Sequence, residues 1–141
     1  MNPYSKDLIN QYKKTQVSTA DRGQLVVMLY EGAIRFINTA IDKMHFSTYD
    51  LVNTNLQKTM EIINELRASL DHKAGGELAS RLESIYVFMN NRIQEANIQK
   101  SVPILKEVRG LLEELLAAWK AIAQKSQGGD EAKGGGISVV G

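Results

Sequence analysis

Cysteine is absent from this sequence, which excludes disulfides, thiolate metal sites and cysteine nucleophiles. The only prolines are Pro3 and Pro103, so nothing between them breaks a helix by removing an amide donor. Histidine is almost as scarce. Neither His45 nor His72 follows a glutamate by three residues, the spacing that a carboxylate-bridged metal centre in a four-helix bundle uses. The same scarcity leaves little for a Ser-His-Asp arrangement. Neither sign of charge dominates: 17 basic against 16 acidic residues give a net charge of +1, too small a field to steer nucleic acid or an anionic membrane. No apolar run approaches the ~18 residues of a membrane span. The opening Met-Asn-Pro-Tyr-Ser-Lys-Asp carries no basic stretch with an apolar signal core, so the expectation is a soluble, intracellular protein.

Enzyme chemistry finds no foothold either. No Gly-Lys-Ser/Thr follows Gly75-Gly76 and no strand is expected before it, so the pair reads as a turn rather than a phosphate cradle. Glu107, Glu113, Glu114 and Lys120 alternate with apolar residues at helical spacing, the pattern of a solvated face. The expectation is a protein that is not an enzyme and needs no cofactor or metal.

What is present is helical periodicity. With 141 residues, 43% of them hydrophobic, the chain can form one domain and remove about two thirds of its unfolded surface from water. Ser18, Thr19 or Asp21 can cap a first helix over about 22–44. A second helix is expected over about 50–70, with Val52, Leu56, Met60, Ile63, Leu66 and Leu70 on one face. Gly75-Gly76 then reverses the chain into a third over about 77–97. The fourth, over about 102–124, tolerates Pro103 in its first turn, where a missing amide hydrogen has no helical acceptor. Short connections between helices of similar length predict an all-α, antiparallel up-down four-helix bundle over residues 19–125. A short arm over 1–18 precedes it, and a flexible Gly-rich tail over 126–141 follows.

The first helix carries more apolar surface than packing requires. Leu25, Leu29, Gly32, Phe36 and Ala40 form one stripe, and Val26, Tyr30, Ala33, Ile34, Ile37 and Ile41 widen it to roughly 200°, against the ~100° of an ordinary surface helix. Core packing accounts for Leu29, Phe36, Leu56, Ile63, Leu82, Met89, Leu112 and Trp119. Val27, Met28, Ile34, Ile41, Val87 and Phe88 lie off the main stripes and divide evenly between extra core and a partner groove, because a large uncovered apolar patch is rare on a monomer. Leu8, Ile9 and Tyr12 give the arm an apolar side in a segment too short to hold a helix alone. Either a partner or a second copy of the chain could cover such surface, as a monomer with a client or a weak homodimer.

Several blocks, in order, carry a resemblance. Tyr12 with Gln16-Val17 leads into Thr19-Ala-Asp-Arg-Gly-Gln-Leu-Val-Val-Met-Leu-Tyr-Glu-Gly-Ala33, and Leu70-Asp71 precedes Gly75-Gly76-Glu77-Leu78-Ala79. Tyr86-Val-Phe-Met-Asn-Asn-Arg-Ile-Gln-Glu-Ala-Asn97 comes next, followed by Glu107-Val108 to Leu112 and Ala118-Trp119. Together, over about residues 4–124, they resemble the FliS family of flagellin-specific chaperones in the bacterial flagellar type III export system. The resemblance implies a cytoplasmic protein that binds the C-terminal segment of new flagellin, keeps it from polymerising and presents it to the export gate protein FlhA. It also implies that the N-terminal arm lies on the binding surface until flagellin displaces it.

Overall fold

The structure, a computed structural model, describes residues 22–128. The arm expected over 1–18, with Leu8, Ile9 and Tyr12, lies outside the described residues, as does the tail beyond Gly128. Four helices follow one another: α1 (Arg22–Asp42), α2 (Tyr49–Ala68), α3 (His72–Gln99) and α4 (Val102–Gly128), with one 3-10 turn (Phe46–Thr48) between the first two.

Local chemistry sets the boundaries. The His45 side chain accepts from the Ser47 amide at the start of the 3-10 turn, and the Thr48 hydroxyl donates to the Lys43 carbonyl at 2.7 Å, closing the α1 to α2 connection. In α2, Asp50 in the first turn and Arg67 in the last complement the helix dipole. The Asp71 carboxylate caps α3 by accepting from the Ala74 amide at 3.0 Å. At the far end of α3, Lys100 takes a left-handed conformation (φ 52°), and its ammonium binds the side chains of Asn53 and Asn97 and the Asn97 carbonyl.

Neighbouring helices run antiparallel. Between α2 and α3, partners advance on one helix as they retreat on the other: Asn53 meets Lys100, Asn64 meets Asn90, and Arg67 meets Glu83. Between α1 and α4, Asn38 meets Arg109 and Glu31 meets Lys120. α1 packs against α2 and α4, and α3 against the same two, so α1 and α3 stand diagonally opposite in an up-down ring. The core fills the space between. All eight residues assigned to core packing are buried there, together with Tyr30, Ile37, Ile62, Tyr86, Ile93 and Leu105.

Two features depart from the sequence expectation. The chain reverses over Ser69–Asp71, before the glycine pair, because the Asp71 cap starts α3 five residues earlier than expected. Gly76 still breaks regularity: at φ 54°, ψ −128° it kinks α3 after one turn, in a backbone region that only glycine enters freely. In α2, Thr59 and Ile62 are fully buried whereas Met60 and Leu70 sit half-exposed. Thr59 can occupy the core because its hydroxyl donates to the Asn55 carbonyl at 2.9 Å, which removes most of the cost of burying it.

Candidate client groove

Arg92 of α3 reaches across to Glu107 of α4 at 2.6 Å and also holds Glu95 at 2.7 Å. That pair fixes which flanks face each other. Stepping back along α3 from Arg92 by four and three residues gives Phe88, Ile85, Arg81 and Leu78; stepping forward along α4 from Glu107 gives Leu111, Leu115, Ala118 and Ile122. The two stripes therefore run side by side from the α3 to α4 turn towards the opposite end of the bundle. They are apolar except for Arg81, which is turned to Glu77 in a solvent-exposed i,i+4 pair.

Neither stripe is fully covered. Phe88 is 45% exposed and Leu78 54%, while Ile85, Leu111, Leu115 and Ile122 are half-buried against the core and Ala118 is exposed. α3 packs less closely on α2 and α4 than α1 does, and the facing stripes of α3 and α4 form a half-exposed apolar seam, the candidate groove. The Arg92 ion pairs close its turn end, and small Ala118 lets a docked chain approach α4 closely.

A second recess lies between α1 and α4, with a volume of about 350 Å³ and a lining that includes Val27, Met28, Glu31, Lys120 and Ala123. Half of it is polar by composition. Ile34 and Ile41 continue the same flank of α1 at seven-residue steps from Val27, half-buried on either side in sequence of Asn38, which accepts from Arg109 at 2.7 Å.

The candidate residues thus divide. Val27 is only 6% exposed and belongs to the core cluster while also walling the recess. Met28, Ile34 and Ile41 share the α1 to α4 side; Phe88 lies in the α3 to α4 groove. Val87, one residue on, turns about 100° away from that groove and is half-buried on the flank nearer α2. Leu8, Ile9 and Tyr12 lie outside the described residues. Helical spacing sets Leu78, Leu115 and Ile122 in line with the core residues Leu82, Leu112 and Trp119, which hides their part in the seam, and it marks out neither Leu111 nor Ala118. The available signal was the width of the α4 apolar arc, which runs from Leu111 through Leu112 to Leu116.

Beneath the groove, the interior is locked by a polar contact. The Tyr30 and Tyr86 hydroxyls lie 2.6 Å apart. Burial pushes the Tyr30 hydroxyl up to about 12, against smaller downward pulls from the neighbouring Tyr86 and Trp119 side chains. Burial raises Tyr86 as well, reinforced by the charge and the hydrogen bond of Tyr30. Among the described residues, no group of three or more His, Asp or Glu could hold a metal ion, and no helix is long and apolar enough to cross a membrane.

The family described as flagellar protein FliS matches residues 5–126 of this chain. The flagellar secretion chaperone FliS of Bacillus subtilis (strain 168) is 34% identical over 137 residues, covering 97% of each chain. The flagellar secretion chaperone FliS of Salmonella typhimurium (strain LT2) is 34% identical over 116 residues, covering 80% of this chain and 84% of its own. FliSB of Pseudomonas aeruginosa, also named a flagellar secretion chaperone, is 32% identical over 124 residues, covering 85% of this chain and 98% of its own. With a family match across nearly the whole bundle and relatives of this identity, the chain belongs to the flagellar protein FliS family.

Proposed function

We propose that this chain is a cytoplasmic export chaperone that binds the C-terminal segment of flagellin, keeps it from polymerising and delivers it to the export gate protein FlhA. The observation that carries the reading is the half-exposed apolar groove between α3 and α4 on a chain whose relatives are named flagellar secretion chaperones. An amphipathic client helix lays its apolar face into such a groove, excluding water from both partners. Ordering a client that is disordered when free costs roughly 2–5 kcal/mol, offset by a contact area on the order of 1,000–3,000 Å². Shielding the apolar face is what stops self-assembly. No nucleotide or metal enters the cycle, and release is by handover to the export apparatus.

The N-terminal arm fits the same scheme. An isolated dozen residues rarely hold a helix, so Leu8, Ile9 and Tyr12 gain order only by docking, and docking on client surface lowers the open fraction that flagellin can bind.

The test is a calorimetric titration of the protein with the last ~40 residues of flagellin in chelator, a length within the reach of coupled folding and binding. Saturable binding without nucleotide or metal supports the reading. No binding at high micromolar peptide, or binding only after metal is added, refutes it. Sedimentation of the protein alone separates a client groove from a homodimer contact, which would hide the same surface as concentration rises.

A further inference from the structure

The tail beyond α4 reads as a tether with a tip. Residues 128–136, Gly-Gly-Asp-Glu-Ala-Lys-Gly-Gly-Gly, are followed by Ile137-Ser-Val-Val140, three β-branched apolar residues in four positions. We propose that this tip docks in the α3 to α4 groove of its own chain and competes there with the client, an inference that rests on that groove being the client site.

Position and reach favour this occupant. The tail leaves α4 at the end of the bundle where the groove opens, opposite the Arg92 to Glu107 pair that closes its other end. Ile122 lies six residues before Gly128, roughly 9 Å along the helix, and Leu115 roughly 20 Å. A nine-residue Gly-rich tether has a root-mean-square span of roughly 15–18 Å and a limit of roughly 30 Å. Ile122 and Leu115 both fall within that limit.

Chemistry matches as well. The charged side chains of the tail, Asp130, Glu131 and Lys133, are confined to the tether, so the tip brings no charged side chain into an apolar seam. β-Branched residues next to glycine favour an extended chain over another helical turn. In an extended chain Ile137 and Val139 point to one face and Ser138 to the other, so two apolar side chains enter the groove while the hydroxyl keeps its water. A short tether supplies an effective concentration on the order of mM. A tip with intrinsic affinity on the order of mM is then docked about half the time, and apparent client affinity falls about twofold.

The absence of cysteine makes a single spin label straightforward to place. The full chain carrying Ser138→Cys, labelled at that position, is examined by NMR for paramagnetic broadening of Leu78, Phe88, Leu115 and Ile122. Broadening that is independent of dilution and lost in Ile137→Asp/Val139→Asp/Val140→Asp is expected. Its absence, or its persistence in the triple variant, overturns tail docking and leaves the client reading untouched. Broadening that fades on dilution with unlabelled protein assigns the groove to the tail of a second copy and overturns the intramolecular contact. Addition of the C-terminal flagellin segment is expected to release the label, and removal of residues 129–141 to tighten peptide binding about twofold. A label that stays docked while peptide binds elsewhere overturns the competition and moves the client away from this groove.

Discussion

The hydroxyl of Tyr30 on α1 meets that of Tyr86 on α3 at 2.6 Å, joining the two diagonal helices of the bundle through its interior. Both residues are buried, Tyr30 at 0% exposure and Tyr86 at 1%, so neither hydroxyl can turn to water instead. The contact selects one register of packing among helices whose apolar faces alone would tolerate several.

Removing one member therefore costs more than a surface hydrogen bond. Tyr30→Phe leaves the Tyr86 hydroxyl buried without that partner, and stability should fall by about 1–3 kcal/mol in urea unfolding. Tyr30→Phe/Tyr86→Phe should cost less than the sum of the single changes, because the second removes a group already orphaned by the first.

The same pair sets a limit at high pH. Both tyrosines have folded pKa values raised above 10.0, Tyr30 to about 12, so the unfolded chain loses these protons first. Their contribution is complete below pH 10 and is lost as pH rises through the folded values, with a slope of up to about 1.4 kcal/mol per pH unit for each group. Urea midpoints should be insensitive to this pair from pH 7 to 9 and fall steeply between pH 10 and 12. The double phenylalanine variant should show a shallower fall over that range; an identical slope would remove the tyrosines as its cause.

Two glycines separate backbone strain from space. A Cβ at either Gly76 or Gly110 would meet nothing within 4 Å, so sterics with neighbours are equal. Gly76 has φ 54°, ψ −128°, and Gly76→Ala should destabilise by about 1–3 kcal/mol. Gly110 sits within regular α4, where Gly110→Ala should stabilise by about 0.5–1 kcal/mol. Thermal midpoints moving in opposite directions confirm the assignment, and movement in the same direction contradicts it.

The sequence carried the bundle because each helix repeats its apolar residues at helical spacing: Leu25, Leu29 and Phe36 on α1, and Leu105, Leu112 and Trp119 on α4, all reach the core. The reversal before α3 was misplaced because Asp71 caps through one side-chain bond to Ala74, a signal weaker on paper than two adjacent glycines. Buried Thr59 escaped notice because its polarity is cancelled by a bond to its own helix. The groove was legible only at Phe88. Leu78, Leu115 and Ile122 share angular sectors with core residues, and only the looser packing of α3 on α4 separates them from the interior. A helical wheel contains no information about the distance to the next helix.

Whether flagellin is held in the α3 to α4 groove is decided by titrating its C-terminal segment into wild type and into Leu78→Asp/Phe88→Asp. Both positions are exposed, so the urea midpoint should stay near that of wild type while two charges enter the apolar seam. The account predicts affinity for the peptide weaker by about tenfold or more, at least about 1.4 kcal/mol, in a variant that remains folded. Wild-type affinity in the folded double variant would contradict it.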